Sequence, residues 1–231
     1  MMSPKPNNTF SIAYYKTILQ AALDAGYSFV TLKEFVDLGC PEQKHFVLRH
    51  DLDKQPTSLA PIIDAERELG IKSTVFVRVC GCEYNPLGYA GYRAIKHAVD
   101  AGAEIGLHTG FIEFATITGE SAEDVLVNEL LTLRGFFDVN GVATHRDINY
   151  MYNSLPWLQQ NWTRVKSHLN LVYEAYEPRI MSRLLYVNEG LNPHLCWRSM
   201  TPEQAITTGR SICMLTHPHW WYKDHAFEAQ L

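Results

Sequence analysis

Phe46-Val47-Leu48-Arg49-His50-Asp51-Leu52-Asp53 is an apolar run that ends in charge. A short run of this composition suits a buried strand. In parallel α/β sheets and barrels, ligands bind at the C-terminal ends of strands, so a polar cluster there reads first as chemistry. Asp51 and Asp53 are two residues apart, and in a continuing strand their side chains share one side, while His50 faces the other. Two carboxylates that close repel unless a cation or a shared proton lies between them. The competing reading is that both cap a helix beginning near Pro56, Thr57 and Ser58.

The flanking sequence repeats the alternation of strand and helix. Ile12 to Ala25 has helical periodicity closed by Gly26, Ser28-Phe29-Val30 is a short strand, and Leu32 to Leu38 is a second helix. Ser58 to Leu69 reads as a helix ended by Gly70, as a glycine just past a C-cap should end it. Thr74 to Val77 is β-rich, Tyr89 to Ala101 is helical and stopped by Gly102, and Glu104 to Leu107 leads into His108. Ser121 opens a helix whose apolar stripe continues to about Phe137, and Gly141 to Thr144 runs into His145. After Pro156 the pattern weakens, with strands at Leu171–Tyr173, Leu184–Val187 and Leu195–Trp197. Thr201-Pro202-Glu203-Gln204 is a capping box with proline at the first helical position. Ile212 to Leu215 is the last strand and ends at Thr216-His217-Pro218-His219. Such alternation predicts an α/β fold with parallel strands, as an open sheet or a barrel.

The chain has 231 residues, a length that fits one α/β barrel domain of roughly 200–250 residues. Residues 10–231 are expected to form that single catalytic domain, with 1–9 as a disordered lead-in. A net charge of -5 and a pI near 6.0 argue against a nucleic-acid partner, which selects for a basic face. No apolar run approaches the roughly 20 residues of a membrane span, and the N-terminus lacks the apolar core of a secretory signal; the expected location is cytoplasmic. The five cysteines are odd in number and read as reduced thiols rather than a disulfide framework. Cys80-Gly81-Cys82 lacks the redox or zinc-knuckle spacing.

Four strand-like runs thus end in potential ligands or catalysts: Asp51 with Asp53, His108, His145, and His217 with His219. Each histidine alone reads as a packed core residue; their recurrence on successive strand ends reads as a site. Carboxylates with imidazoles suit a divalent metal such as zinc, whose catalytic sites use about three protein ligands and an open position. The matching chemistry is hydrolysis: water made acidic by the metal, a carboxylate base and an imidazole acid.

These motifs resemble the polysaccharide deacetylase family, carbohydrate esterase family four, over about Phe46 to Tyr222. Arg49-His50-Asp51-Leu52-Asp53 is similar to the family's first motif, Gly102 to Thr109 to its Gly-His-Glu-Ile-Gly-x-His-Thr segment, and Leu215 to Trp221 to its terminal Leu-x-x-His segment. The resemblance implies a distorted, seven-stranded (β/α) barrel and a metal-dependent deacetylase acting on an N-acylated sugar or glycan. By that likeness Asp51 is the general base, Asp53 and His108 bind the metal and His217 is the acid. Trp220 and Trp221 are expected to form a sugar-stacking wall, and Arg146 to meet the substrate or act as a surface residue.

The sequence departs from the family where a second metal histidine normally follows the first by four residues, because that position is Ile112. His145, ending its own strand, is the preferred third ligand; a substrate hydrogen bond is its other reading, and Glu113 is the alternative ligand. The departure also leaves open a carbohydrate-binding or scaffold protein without hydrolysis, and a hydrolase of another small amide such as a nucleotide-linked sugar. Substrate choice is expected in loops at Cys82–Tyr89, Phe111–Glu120 and Asn149–Leu155.

Overall fold

The computed structural model describes residues 10–81, 83–145, 153–189 and 196–224. The lead-in at 1–9, Cys82, Arg146 and Asp147 lie outside the described residues, as do parts of the Asn149–Leu155 loop and the Leu195–Trp197 strand. The strands are β1 (Ser28–Val30), β2 (His45–Leu52), β3 (Thr74–Arg78), β4 (Glu104–Thr109), β5 (Val139–Thr144), β6 (Tyr173–Glu174), β7 (Leu185–Asn188) and β8 (Ile212–Thr216). The helices are α1 (Ile12–Asp24), α2 (Leu32–Asp37), α3 (Leu59–Glu68), α4 (Tyr89–Asp100), α5 (Phe111–Thr118), α6 (Ala122–Arg134), α7 (Ser154–His168), α8 (Pro178–Met181) and α9 (Pro202–Ile206).

Seven strands in the order β6-β5-β4-β3-β2-β8-β7 curl into a half-barrel, and β1 pairs beside the start of β2. All the pairings are parallel. This is the expected distorted α/β barrel, and its turns are built as the sequence implies: Gly26, Gly70 and Gly102 each take a positive φ, which a residue without Cβ adopts freely. Ser11, Thr31, Ser121 and Thr201 accept a backbone N–H at the starts of α1, α2, α6 and α9, caps worth about 1 kcal/mol each.

Strand periodicity separates an inner and an outer core. Along β2, Phe46 and Leu48 pack outward with α1 residues Tyr15, Ile18 and Leu19. Val47 faces the barrel interior, where it joins Phe76, Ala143, Tyr173 and Cys213. Two glycines make room for the interior rings: a Cβ on Gly106 would sit 2.4 Å from the Phe76 ring, and one on Gly141 only 2.0 Å from Tyr173. The same parity carries β4 from Gly106 to His108, and β5 from Gly141 past Ala143 to His145, on the interior side.

Two readings from sequence are corrected. Phe111–Thr118 is helix α5 rather than a substrate loop, with Phe111 and Ala115 buried. Ser154–His168 is a long helix where the pattern was read as weakening. Pro156 sits in its first turn, where backbone N–H groups have no intrahelical partner to lose.

Candidate active site and metal centre

Asp51 lies in β2 and Asp53 just beyond it; His108 comes from β4, His145 from the residue after β5, and His217 from the residue after β8. His108 Nε2 is 3.5 Å from Asp51 Oδ2 and 3.3 Å from Asp53 Oδ1. His145 Nε2 is 3.9 Å from the same Asp53 oxygen, and His217 Nε2 is 3.7 Å from Asp53 Oδ2. The helix-cap reading of the two aspartates does not hold, because both face these imidazoles.

Asp53, His108 and His145 each offer one ligand atom, and these atoms lie within 4.8 Å of one another. His108 Nδ1 is 3.0 Å from the Ala143 carbonyl oxygen, an acceptor, so Nδ1 holds a proton. In the neutral ring Nε2 then presents a lone pair to Asp53 Oδ1, which is buried without a hydrogen-bond partner. Two electron-rich atoms in that position call for a proton or a cation between them. An oxygen and two imidazole nitrogens are a donor set that zinc accepts at catalytic sites. The residues present therefore fit a divalent ion. Among the described residues Glu113 is not part of this group.

Asp51 is held differently. Arg49 Nε and Nη2 donate to its two oxygens, each at 2.8 Å. The guanidinium also donates to Tyr176 Oη at 3.0 Å and stacks on the Phe76 and Tyr176 rings. Burial pushes the Asp51 carboxyl up, but Arg49, His108 and His217 pull it below its ordinary value. The same contest lowers Asp53, through His108, His217 and His145. His145 is pushed down to about 4, first by burial and then by its neighbours His108 and Arg78, against Asp53 and Asp51.

His217 Nδ1 donates to Glu189 Oε2 at 2.8 Å, and the backbone N–H of His217 donates to the same oxygen at 2.7 Å. Burial opposes the imidazolium, yet Glu189, Asp53 and Asp51 raise His217 to about 9. Its Nε2–H is thus available on the Asp53 side at neutral pH. Sequence reading missed Glu189, although it follows strand β7 directly and so obeys the strand-end rule that found the histidines. It also missed Arg49, two residues before Asp51 and on the same strand face.

The aromatic wall is corrected at one residue. Trp221 is buried, packs against Phe10 and Tyr15, and donates its indole N–H to Glu189. Trp220, half-buried, lies against His217 with 4.3 Å between ring centroids. His50 points away from the aspartates, as its parity implies, and contacts Thr216 and Glu66 behind the sheet. Arg146 lies outside the described residues.

The fold and site define a parallel α/β half-barrel with carboxylates and imidazoles gathered at the C-terminal ends of its strands. No protein-family model matches the chain, and no curated protein does. Among solved structures it is similar to the Streptococcus pyogenes deacetylase PplD in complex with acetate, at 16% sequence identity and a TM-score of 0.51. The match covers 94% of this chain and 88% of that one. At that identity the likeness is one of fold. Among the described residues no helix is long and apolar enough to cross a membrane.

Proposed function

We propose that residues 10–231 form one catalytic domain, a metal-dependent hydrolase that removes an N-acyl group, acetyl foremost, from an amino sugar or glycan intermediate. The observation that carries this reading is the meeting of Asp51, Asp53, His108, His145 and His217 around one point. Its fold likeness to a deacetylase solved with acetate supports it. Asp53, His108 and His145 would hold a divalent ion such as zinc, which when bound would supply Lewis-acid polarisation and a more acidic water. Asp51 accepts the proton of the attacking water, and Arg49 keeps that carboxylate ionised and aimed. His217, its Nδ1–H fixed by Glu189, delivers the Nε2 proton to the departing amine nitrogen as the C–N bond breaks. Trp220, beside His217, offers a face to a sugar ring.

A carbohydrate-binding protein without turnover is the second reading. It is favoured by the hold of Arg49 on both Asp51 oxygens, which weakens that carboxylate as a base. Acetate release from N-acetylglucosamine oligomers and from a nucleotide-linked N-acetyl sugar, measured with metal content, separates the two. Asp51→Asn is expected to keep its metal and lose about 100-fold or more in kcat, while His145→Ala loses the metal. A folded protein that takes up no metal and releases no acetate would end the hydrolase reading, and acetate release undiminished in Asp51→Asn would end the assignment of Asp51 as the base.

A further inference from the structure

Among the described residues, several charged groups around this mouth are matched with opposite charges, and one arginine there is not. Asp51 has Arg49, His217 has Glu189, and Lys54 has Glu83 at 3.0 Å. That arginine is Arg78, the last residue of β3. It pairs in register with His108 on β4 and follows the inward-facing Phe76 by two residues, so its side chain leaves the sheet on the face of the site. Its Nε is buried and has no hydrogen-bond partner. Among the described residues its guanidinium makes no ion pair; the residue's hydrogen bond to Tyr84 Oη is donated by the backbone N–H. The contrast with Arg49 is direct, since that guanidinium donates to both Asp51 oxygens and to Tyr176.

The guanidinium is held in place rather than waving in solvent. A Cβ on Gly81 would sit 3.4 Å from both Cβ and Nε of Arg78, so the turn after β3 lies close against the side chain. Its charge is felt by His145 on one side and by Glu129 on the other. Glu129 makes no ion pair with it: its oxygens accept from the Thr109 hydroxyl and the Cys80 N–H. A partly desolvated guanidinium with unused donors is a strong site for a bidentate anion, either carboxylate or phosphate. The chain as a whole carries -5, so general attraction does not draw anions here; the recognition is local.

We propose that Arg78 is the anion-recognising residue of this mouth, and that the substrate is an acidic amino sugar whose carboxylate or phosphate it grips. This rests on the hydrolase reading only for the position of the acyl group. Direct binding, which needs no turnover, separates the two. Calorimetric titrations at low salt compare N-acetylglucosamine, N-acetylglucosamine 1-phosphate and N-acetylmuramic acid on the full chain, with inorganic phosphate as competitor.

At least one acidic sugar is expected to bind about tenfold or more tightly than the neutral one, the scale of a charge-assisted hydrogen bond. Which acid binds more tightly identifies the anion as phosphate or carboxylate. Arg78→Gln should remove the preference, and Arg78→Lys, which keeps the charge but not the fork, should retain part of it. Thermal melts establish that both variants fold; if Arg78→Gln does not, Arg78→Lys with phosphate competition decides. Equal binding of neutral and acidic sugars, no binding of either acid, or a preference that survives Arg78→Gln and disappears in Lys54→Gln overturns the proposal. Absence of acetate release alongside an Arg78-dependent preference would sink the hydrolase reading and leave this one standing.

Discussion

Replacing Arg49 by methionine strands a buried charge, and the size of the effect follows from how completely the pair is enclosed. Arg49 is 1% exposed and Asp51 3%, and the two make a bidentate contact at 2.8 Å. Removing one member of such a pair typically costs about 3–5 kcal/mol, because the remaining ion stays desolvated. For a chain of this size that corresponds to a fall in Tm of about 6–20 °C. An exposed pair would cost only about 0–1 kcal/mol.

The pH dependence gives a sharper signature. In the native protein Asp51 sits below its ordinary value, so its stabilisation is present above the unfolded pKa of roughly 3.9 and is lost as pH falls through the lower folded value. In Arg49→Met burial outweighs the remaining favourable contacts and the folded pKa rises. The variant then gains stability as acid neutralises Asp51. Urea unfolding of metal-free protein at pH 7, 6 and 5 should show the gap between native and Arg49→Met narrowing downward. Arg49→Met combined with Asp51→Asn should be more stable at pH 7 than Arg49→Met alone. A loss below about 1 kcal/mol, or a gap independent of pH, would refute the claim that enclosure of this pair sets its worth.

Glu189→Gln removes the anion that holds His217 protonated. By NMR of metal-free protein, His217 should titrate near 9 in the native chain and well below that in the variant. Because the folded pKa is raised, the native chain keeps this stabilisation below the ordinary histidine value of roughly 6.5 and loses it as pH rises through about 9. An unchanged His217 titration would show that Glu189 is not the cause. Gly141→Ala places a Cβ at 2.0 Å from the Tyr173 ring and should cost about 1–3 kcal/mol or more in thermal melts. A change within about 0.5 kcal/mol, the range of an innocuous surface substitution, would mean that the barrel interior has slack at this layer.

The parallel α/β plan was legible because local signals agreed: apolar runs of strand length, amphipathic stretches between them, and glycine where a helix had to end. The helix at Ser154–His168 was obscured because proline breaks a helix in its interior but is tolerated in its first turn, and sequence alone left the position of that turn open. The candidate site was legible where a polar side chain ends its own strand, as with Asp53, His108, His145 and His217. Its supporting charges were not, since the pairing of Arg49 with Asp51 and of Glu189 with His217 depends on burial and on contacts across the sheet. Trp220 and Trp221 were read as a joint wall, yet adjacent residues face different ways, and only Trp220 stays at the mouth.

Strand β2 explains why the opening run of sequence carries so much. Its inner face places Val47, Arg49 and Asp51 in line from the barrel interior to the mouth. Its outer face packs Phe46 and Leu48 under α1 and then turns polar at His50. There Glu66 accepts hydrogen bonds from the Tyr15 and Ser73 hydroxyls, both at 2.6 Å, and meets His50 Nε2 at 2.7 Å. A carboxylate surrounded by hydroxyl donors acts as an acceptor, so the proton between it and His50 belongs on Nε2. In the neutral ring Nδ1 then accepts from the Thr216 hydroxyl at 2.6 Å. His50 and Thr216 are register partners on β2 and β8, and the next residues along those strands are Asp51 and His217. The β2–β8 ladder and, behind the sheet, the His50–Thr216 hydrogen bond one residue beneath them thus fix the strand ends from which the proposed base and acid project.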